Sequence, residues 1–460
     1  MPLNELLAVC LLVAVCLGML SGFPVAFTLA GVSIAFAAVG STLGQFDFAL
    51  YSAIPSRYFG VMTNEVLVAV PLFVFMGFML ERSKISQDLL ITMGQCFGAR
   101  RGGIGISVMV VGMLLAASTG IVGATVVTMG VLSLPTMLKA GYDKKLAVGT
   151  ICASGTLGQI IPPSIALVIL ADSLSGIYTE SQLAKGNYIV EPFSALDLFA
   201  GALIPGLLLV GLYILWLVVV ATLRPDSCPA YYDSDMGRRE VYLQVAKALV
   251  PPCVLILAVL GSILAGVATP TEAASFGGVG AMTLALIRRQ LTLNIVKAVA
   301  LSTVRVSCMV FAILLGASIF SLTFRGLGGD DLVKEFLTGL PGGFLTAMLI
   351  VMMLVFLLGF VLDFIEIIFI VVPIVAPALF HSDISPVWLG IMLAINLQTS
   401  FMTPPFGWAL FYMRGVAPKS VATLDIYKGV APFIGIQLVV LVIVWIFPTL
   451  STWLPKVLLG

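Results

Sequence analysis

The feature that most constrains this chain is a series of apolar runs, each long enough to cross a lipid bilayer. A helix rises 1.5 Å per residue, so about 20 apolar residues cover the roughly 30 Å of hydrocarbon. Such runs recur along the whole sequence, in which 60% of the 460 residues are hydrophobic and only 10% are charged. Soluble domains carry about 25% charged residues. The composition therefore excludes a soluble fold and predicts an all-α integral membrane protein.

Twelve segments are predicted to enter the membrane. They are 4–20, 24–40, 66–81, 104–138, 146–172, 194–223, 248–267, 270–287, 298–324, 344–380, 387–413 and 429–450. The first is expected to be a retained helix rather than a signal peptide, because no basic region precedes it. Segments 104–138 and 344–380 would each reach about 50 Å as straight helix, and both have polar or glycine-bearing centres. We interpret these two as re-entrant hairpins, which leaves about ten transmembrane helices.

The basic residues predict the orientation, because short cytoplasmic loops carry an excess of Lys and Arg. With ten crossings and two hairpins, most of the 23 basic residues fall on the inside if the amino terminus lies outside. Both termini are then outside. Segment 81–101 is predicted to include an amphipathic helix along the inner surface. The polar stretch 224–247 is predicted to be a cytoplasmic linker between two halves.

The two halves share a spaced pattern of prolines. Each has one proline followed, 27 residues later, by a proline pair: Pro135 with Pro162-Pro163, and Pro377 with Pro404-Pro405. The two patterns are offset by 242 residues, whereas segment 196–201 resembles segment 424–429 at an offset of 228. The difference of 14 residues predicts an insertion within 172–194 of the first half.

This repeat predicts two copies, 1–223 and 248–460, each with five crossings and one hairpin. An odd number of crossings makes the second copy enter the membrane upside down. Inverted repeats of this kind are typical of secondary transporters, where corresponding interrupted helices indicate the transport site. Here those helices are 146–172 and 387–413. Their proline pairs and glycines predict that both unwind inside the membrane.

Unwound backbone in hydrocarbon leaves carbonyl groups that need a partner. Together with hydroxyls and a carboxylate, carbonyls form a hard oxygen set suited to Na⁺. We predict one Na⁺ site at Ser118, Thr119, Gly155 and Thr156. A second is predicted at Gly359, Asp363, Asn396 and Thr399. Substrate is predicted to bind at Ser154, Gln398, Ser400 and Thr403. The competing interpretation is that these small and hydroxyl residues only allow close helix packing.

Two carboxylates, Asp363 and Glu366, lie well inside a predicted membrane segment, and such groups are functional candidates. Asp363 falls at the predicted tip of the second hairpin. Glu366 is either a structural partner or faces water. Arg305 either neutralises one of them or binds an anionic substrate; the spacing favours neither. Glu272, directly after Pro270, is expected to stabilise the start of a helix.

Four stretches resemble the large membrane subunit of tripartite ATP-independent periplasmic (TRAP) transporters. They are Ser118–Ala124, Ala153–Ser164, Thr269–Ala274 and Thr399–Gly407. The resemblance covers nearly the full length. It implies an elevator mechanism, in which two hairpins and two broken helices slide against a scaffold under a Na⁺ gradient. It also implies a bacterial inner-membrane location with periplasmic termini.

The resemblance further implies two protein partners, a small membrane subunit of about four helices and a periplasmic binding protein that delivers an organic acid. The small subunit is expected to be a separate chain. The 172–194 insertion is expected to face the periplasm, where it either alters docking of the binding protein or is a solvated loop. Membrane lipids are the remaining expected partner. We expect neither an organic cofactor nor nucleic-acid binding.

Three other functions would each have different requirements. A stand-alone permease of similar architecture, coupled to Na⁺ or to H⁺ through Asp363, would not need a binding protein. An intramembrane enzyme would need a convergent acid, base or metal set, which His381 and two neighbouring carboxylates scarcely supply. A channel would need a ring-forming charged pore segment. The leading prediction is Na⁺-coupled uptake of a carboxylate.

Overall fold

The computed structural model describes residues 2–83, 89, 92–93, 97, 100–191, 193–230 and 238–459, and all regular structure within them is helical. The helices of the first half are α1 (Leu3–Leu20), α2 (Val25–Thr42), α3 (Ile54–Met62), α4 (Glu65–Arg82), α5 (Gly103–Thr119), α6 (Val122–Lys139), α7 (Lys144–Thr156), α8 (Ile165–Ala184) and α9 (Ala195–Leu223). Those of the second are α10 (Arg238–Leu264), α11 (Pro270–Ile287), α12 (Leu293–Gly326), α13 (Gly329–Thr338), α14 (Phe344–Leu358), α15 (Phe364–Leu379), α16 (Pro386–Met402), α17 (Trp408–Val416), α18 (Thr423–Ile446) and α19 (Thr449–Leu459).

The predicted all-α membrane fold is confirmed. Among the described residues, seven helices are long and apolar enough to cross a bilayer alone, and the bent pair 48–62 with 65–82 makes an eighth. The predicted role of Glu272 is also confirmed, since it forms a capping box with Thr269 at the start of α11. Most of segment 81–101, the predicted amphipathic helix, lies outside the described residues. In the second half, the corresponding position before the hairpin holds α13.

Both predicted hairpins are helix–break–helix structures. In the first, α5 ends at Gly120, whose φ of +61° turns the chain into α6. In the second, residues 359–363 separate α14 from α15. A π-helical turn at Ile367–Val371 follows, and the Ser173 hydroxyl donates to the Ile368 carbonyl inside it, over 3.3 Å. Widened turns of this kind release backbone carbonyls from the regular ladder.

Both proline pairs interrupt a helix, as the sequence predicts. Between α7 and α8 the chain forms a 3₁₀ turn at Leu157–Gln159 and then runs non-helically to Ser164. Between α16 and α17 the interruption covers residues 403–407. The peptide bond within each pair is cis. Hairpin, interrupted helix and long apolar helix thus recur in the same order in both halves.

The chain divides into two compact units. The first comprises residues 1–68, 169–194 and 304–386, and the second comprises 69–168, 195–303 and 387–460. Each unit draws on both halves of the sequence. The predicted repeat boundaries at 1–223 and 248–460 describe internal similarity rather than compactness, and they stay a prediction.

Two contacts within the second unit correspond to each other under the two sequence offsets. Gly429 of α18 lies so close to α7 that a Cβ there would collide with the Lys145 carbonyl oxygen. Gly201 of α9 packs against α16, where a Cβ would meet the Val387 side chain. Gly201 and Gly429 are related by the offset of 228, and Lys145 and Val387 by the offset of 242. Corresponding helices are therefore in contact at corresponding positions in both halves, which supports the internal repeat.

The 172–194 insertion is mostly helical, because α8 continues to Ala184. Lys185, just beyond it, forms an ion pair of 2.7 Å with Asp383 and lowers the pKa of that carboxyl. Asp172 accepts a hydrogen bond of 2.8 Å from the Asn64 amide, so this residue is not part of a solvated loop. The insertion thus extends a membrane helix within the first unit.

Candidate functional site

The tip of the first hairpin packs directly on the interruption between α7 and α8. Gly155 faces Val126 of α6, and a Cβ at Gly155 would collide with that side chain. A Cβ at Gly158 would lie 2.9 Å from the Ala116 carbonyl oxygen of α5. Both arms of the hairpin therefore contact the interrupted helix at positions where only glycine fits. This packing brings the Ala116 carbonyl oxygen against the backbone of Gly158 inside the second unit.

The residues of the first predicted Na⁺ site lie in the two elements that form this contact, and their assembly into one site stays a prediction. Ser118 and Thr119 end α5, although their side chains lie outside the described atoms. Gly155 and Thr156 end α7, and both are buried. The Thr156 hydroxyl donates to the Ala153 carbonyl over 2.9 Å. Because that bond uses the proton, the lone pairs of the oxygen stay available to a cation or a donor.

One lone pair of Thr156 accepts from Gln398 of α16, whose Nε2 lies 3.4 Å from Thr156 Oγ1. Since the Thr156 proton is already donated, Gln398 has to present its NH₂ group here, and its Oε1 faces elsewhere. Oε1 has no hydrogen-bond partner among the described residues. Residues 156 and 398 are also separated by the repeat offset of 242. Equivalent residues of two copies touch only near the axis that relates them, so the two helices that lead into the interruptions, α7 and α16, meet near that axis.

A second amide, that of Gln159, was missed as a site residue in the sequence. It lies in the 3₁₀ turn directly after Thr156, is 1% exposed, and neither amide atom has a hydrogen-bond partner among the described side chains. A buried amide without partners costs about 1–3 kcal/mol. The available signal was a glutamine among apolar residues in Leu157–Ile161, which indicates burial of a polar group.

At the second predicted Na⁺ site, the hairpin residues have a clear structural role. Asp363 caps α15 by accepting from the Phe364 amide over 2.7 Å, and Glu366 accepts from the Asp363 amide over 3.0 Å. The Asp363 side chain also accepts from the Glu366 amide, and this bond forms a capping box with the one from the Asp363 amide to Glu366. Of the two roles left open for Glu366, the structure shows the structural one. Gly359 follows the last residue of α14 and is buried.

The remaining residues of that site, Asn396 and Thr399, are buried in α16. Thr399 donates to the Ile395 carbonyl over 2.7 Å. Their i, i+3 spacing puts them on one helix face, and Thr403 follows directly after the end of α16. They belong to the second unit, whereas Gly359 and Asp363 belong to the first. The structure thus describes each pair within its own unit, and their assembly into one site stays a prediction.

The predicted substrate residues all lie in the second unit. Ser154 faces the first hairpin, where it leaves no room for a Cβ on Gly112. Ser400 is buried and donates to the Leu397 carbonyl over 2.8 Å, and Thr403 donates to the Thr399 carbonyl over 2.7 Å. Gln398 is fully buried. Arg305, the candidate counter-charge, is exposed on α12.

Comparison with known proteins agrees with this geometry. The chain is 28% identical to the C4-dicarboxylate TRAP transporter large permease protein DctM of Vibrio cholerae, over 99% of both chains. It is also 28% identical to the ectoine TRAP transporter large permease protein TeaC of Halomonas elongata, over 96% of this chain and 98% of that one. The crystal structure of the Alcanivorax borkumensis YdaH transporter has a similar fold, with a TM-score of 0.61 and 15% identity over 99% of both chains.

The family model described as tripartite ATP-independent periplasmic transporter, DctM component, matches residues 11–450. These relatives are membrane permeases and not enzymes. The match spans both hairpins, both interrupted helices and every residue of the candidate sites. This chain therefore belongs to the DctM family, the large permease components of tripartite ATP-independent periplasmic transporters.

Proposed function

We propose that this chain translocates an organic acid across the bacterial inner membrane, coupled to Na⁺, after a periplasmic binding protein delivers it. The observation that carries the proposal is the packing of the first hairpin tip on the α7–α8 interruption through Gly155 and Gly158. This contact brings the Ala116 carbonyl oxygen to the segment that carries the buried Thr156 hydroxyl. Inside the hydrocarbon, oxygen atoms that lack hydrogen-bond donors attract a hard cation. Na⁺ is a hard cation of low charge density that can fill this role.

The buried amides at and before the two interruptions support an anionic, polar substrate beside the ion. Among the described residues, Gln398 Oε1 has no hydrogen-bond partner, and neither do the amide donor and acceptor of Gln159. The ion supplies positive charge for a carboxylate, while the amides pair with its polar groups. The named substrates of two relatives, a C4-dicarboxylate and ectoine, are in line with an organic acid or a related polar metabolite.

The movement proposed is an elevator, in which hairpins and interrupted helices travel together. Close glycine contacts join the first hairpin to the α7 end of the interrupted helix. Elements packed this tightly can move together without separating. The small membrane subunit of about four helices is proposed to bind the scaffold, and the termini are proposed to be periplasmic.

Reconstitution tests this function. Vesicles containing the chain, its small subunit and its binding protein should take up labelled organic acid only under an inward Na⁺ gradient. Omission of the binding protein should abolish uptake. Full uptake without it would favour the stand-alone permease, and uptake driven by a pH gradient in the absence of Na⁺ would contradict Na⁺ coupling.

A further inference from the structure

A groove of about 340 Å³ opens in the second unit between the start of α7, the end of α9 and the start of α18. Three cationic side chains line it, Lys145, Arg224 and Lys428. All three are exposed, and none forms an ion pair with another described residue. The predicted topology puts this groove at the cytoplasmic surface.

The fold forces two of these cations together. Gly429 of α18 touches the Lys145 carbonyl, so Lys428 and Lys145 lie on either side of one backbone crossing. Each lysine also lies within the first two turns of its helix, where the helix dipole already makes the potential positive. The crossing therefore concentrates positive charge that an anion would relieve.

The acidic side chain among the described lining residues does not neutralise the groove. Asp143 lines it, but its Oδ1 accepts the Lys145 amide hydrogen over 3.2 Å and caps α7. Lys144, the next basic residue, is turned away and donates to the Ser420 carbonyl over 2.7 Å. Among the described lining residues, three cations thus face a single carboxylate that is already engaged.

One wall of the groove is apolar. Val219 and Leu223 of α9 line it, and Leu223 is 76% exposed. Along the same helix, Leu215 and Val218 are also exposed, so this wall continues onto the surface that faces lipid. A ligand that fits both parts has an anionic head and an apolar tail. Free phosphate has the first property only.

We propose that this groove binds the phosphate of an anionic phospholipid, with an acyl chain along α9. Basic pockets between membrane helices at the cytoplasmic surface suit such headgroups. A volume of about 340 Å³ holds a glycerophosphate head and not a whole lipid, so the tail remains in the bilayer. Because α7 continues into the interruption that carries the candidate site, a lipid here would hold the α7–α18 crossing in place.

Thermal unfolding of the full-length protein in neutral detergent tests this site. Added phosphatidylglycerol should raise the Tm, whereas phosphatidylcholine and inorganic phosphate at the same concentration should not. The double variant Lys145→Gln with Lys428→Gln should need about tenfold more phosphatidylglycerol for the same shift, as expected for loss of roughly 1.4 kcal/mol of binding. Lys145→Arg with Lys428→Arg should restore the response.

The matched control is Lys139→Gln with Lys297→Gln, which removes two exposed charges from the same predicted side but outside the groove. It should respond to phosphatidylglycerol as the unmodified protein does. An equal loss in this control would overturn the proposal, since bulk charge would then explain the effect. An equal shift with phosphatidylcholine would overturn it too, and a shift with inorganic phosphate would assign the groove to a free anion.

Discussion

The Ser and Thr hydroxyls at and near the interruptions can either bind Na⁺ or serve only local hydrogen bonding, and residue type alone does not distinguish the two roles. Ser154, Thr156, Thr399, Ser400 and Thr403 all donate to a carbonyl three or four residues earlier in the chain. Such bonds are common for Ser and Thr in any membrane helix. Their oxygens nevertheless keep lone pairs that can bind Na⁺. Sequence could predict these residues but not their bonds, because the bonds depend on rotamers.

Replacing Thr156 by Val separates the two interpretations. Valine keeps the branched shape and removes one oxygen, so the Na⁺ concentration for half-maximal uptake should rise about tenfold if that oxygen is a ligand. Uptake by proteoliposomes over a Na⁺ series measures this change. Thr283→Val is the control, because Thr283 has a similar helical bond, to Val279, on exposed α11. Equal Na⁺ dependence in both variants would make Thr156 a packing residue.

Asp363 has to be tested without losing its cap. Asparagine caps helices as well as aspartate does, so Asp363→Asn keeps the bond to the Phe364 amide while removing the charge. We expect this variant to keep its Tm and to lose most Na⁺-driven uptake. Glu366→Gln, which preserves the capping box, should retain uptake. If Asp363→Asn transports normally, the carboxylate is only a cap.

At the scale of elements, the hairpins and interruptions could be predicted because length and backbone chemistry fix them. Segments 104–138 and 344–380 were too long for one crossing, and the proline pairs removed backbone donors. The course of the interruption at 157–164 was not predictable. Its 3₁₀ turn buries Gln159 without a described partner, and propensities contain no information about tertiary partners. The helical extension of α8 through the insertion was missed for the same reason.

The contact between the first hairpin and the interrupted helix predicts that replacement by alanine changes the free energy of unfolding very differently at two glycines. Gly158→Ala would push a Cβ against the Ala116 carbonyl, and backbone cannot yield as a flexible side chain can. We expect a loss of about 1–3 kcal/mol in the free energy of unfolding. Gly435→Ala in α18 has no atom within 4 Å of the new Cβ and should be neutral or stabilising. Chemical unfolding in detergent compares them; equal stability would contradict the tight interface.

For the whole molecule, the internal repeat was predictable from proline spacing, whereas the two compact units were not. The offsets of 242 and 228 reappear in the contacts of Gly201 and Gly429. The units, however, combine segments from both halves, such as residues 169–194 with 304–386. Chain order does not determine which helices pack together, so the assembly of Gly359 and Asp363 with Asn396 and Thr399 could not be derived.

The orientation of the whole chain has a direct test. In a cysteine-free background, a membrane-impermeant maleimide added to spheroplasts should label Asn187→Cys, at the end of the insertion, but not Lys419→Cys, in a basic loop. Both positions are exposed. Both should react once the membrane is permeabilised, which controls for reactivity. The reverse pattern would place the amino terminus inside and contradict the charge distribution.

The hydrogen bond between Thr156 and Gln398 joins two positions that correspond in the repeat. In a symmetric dimer of separate, identical chains, a residue on the axis meets its own copy and has to be self-complementary. A duplicated sequence within one polypeptide is free of that rule, and each copy can change alone. Here one position holds a hydroxyl and the other an amide. The centre of this permease is consequently chemically asymmetric, so the two copies of the repeat cannot take each other's role there.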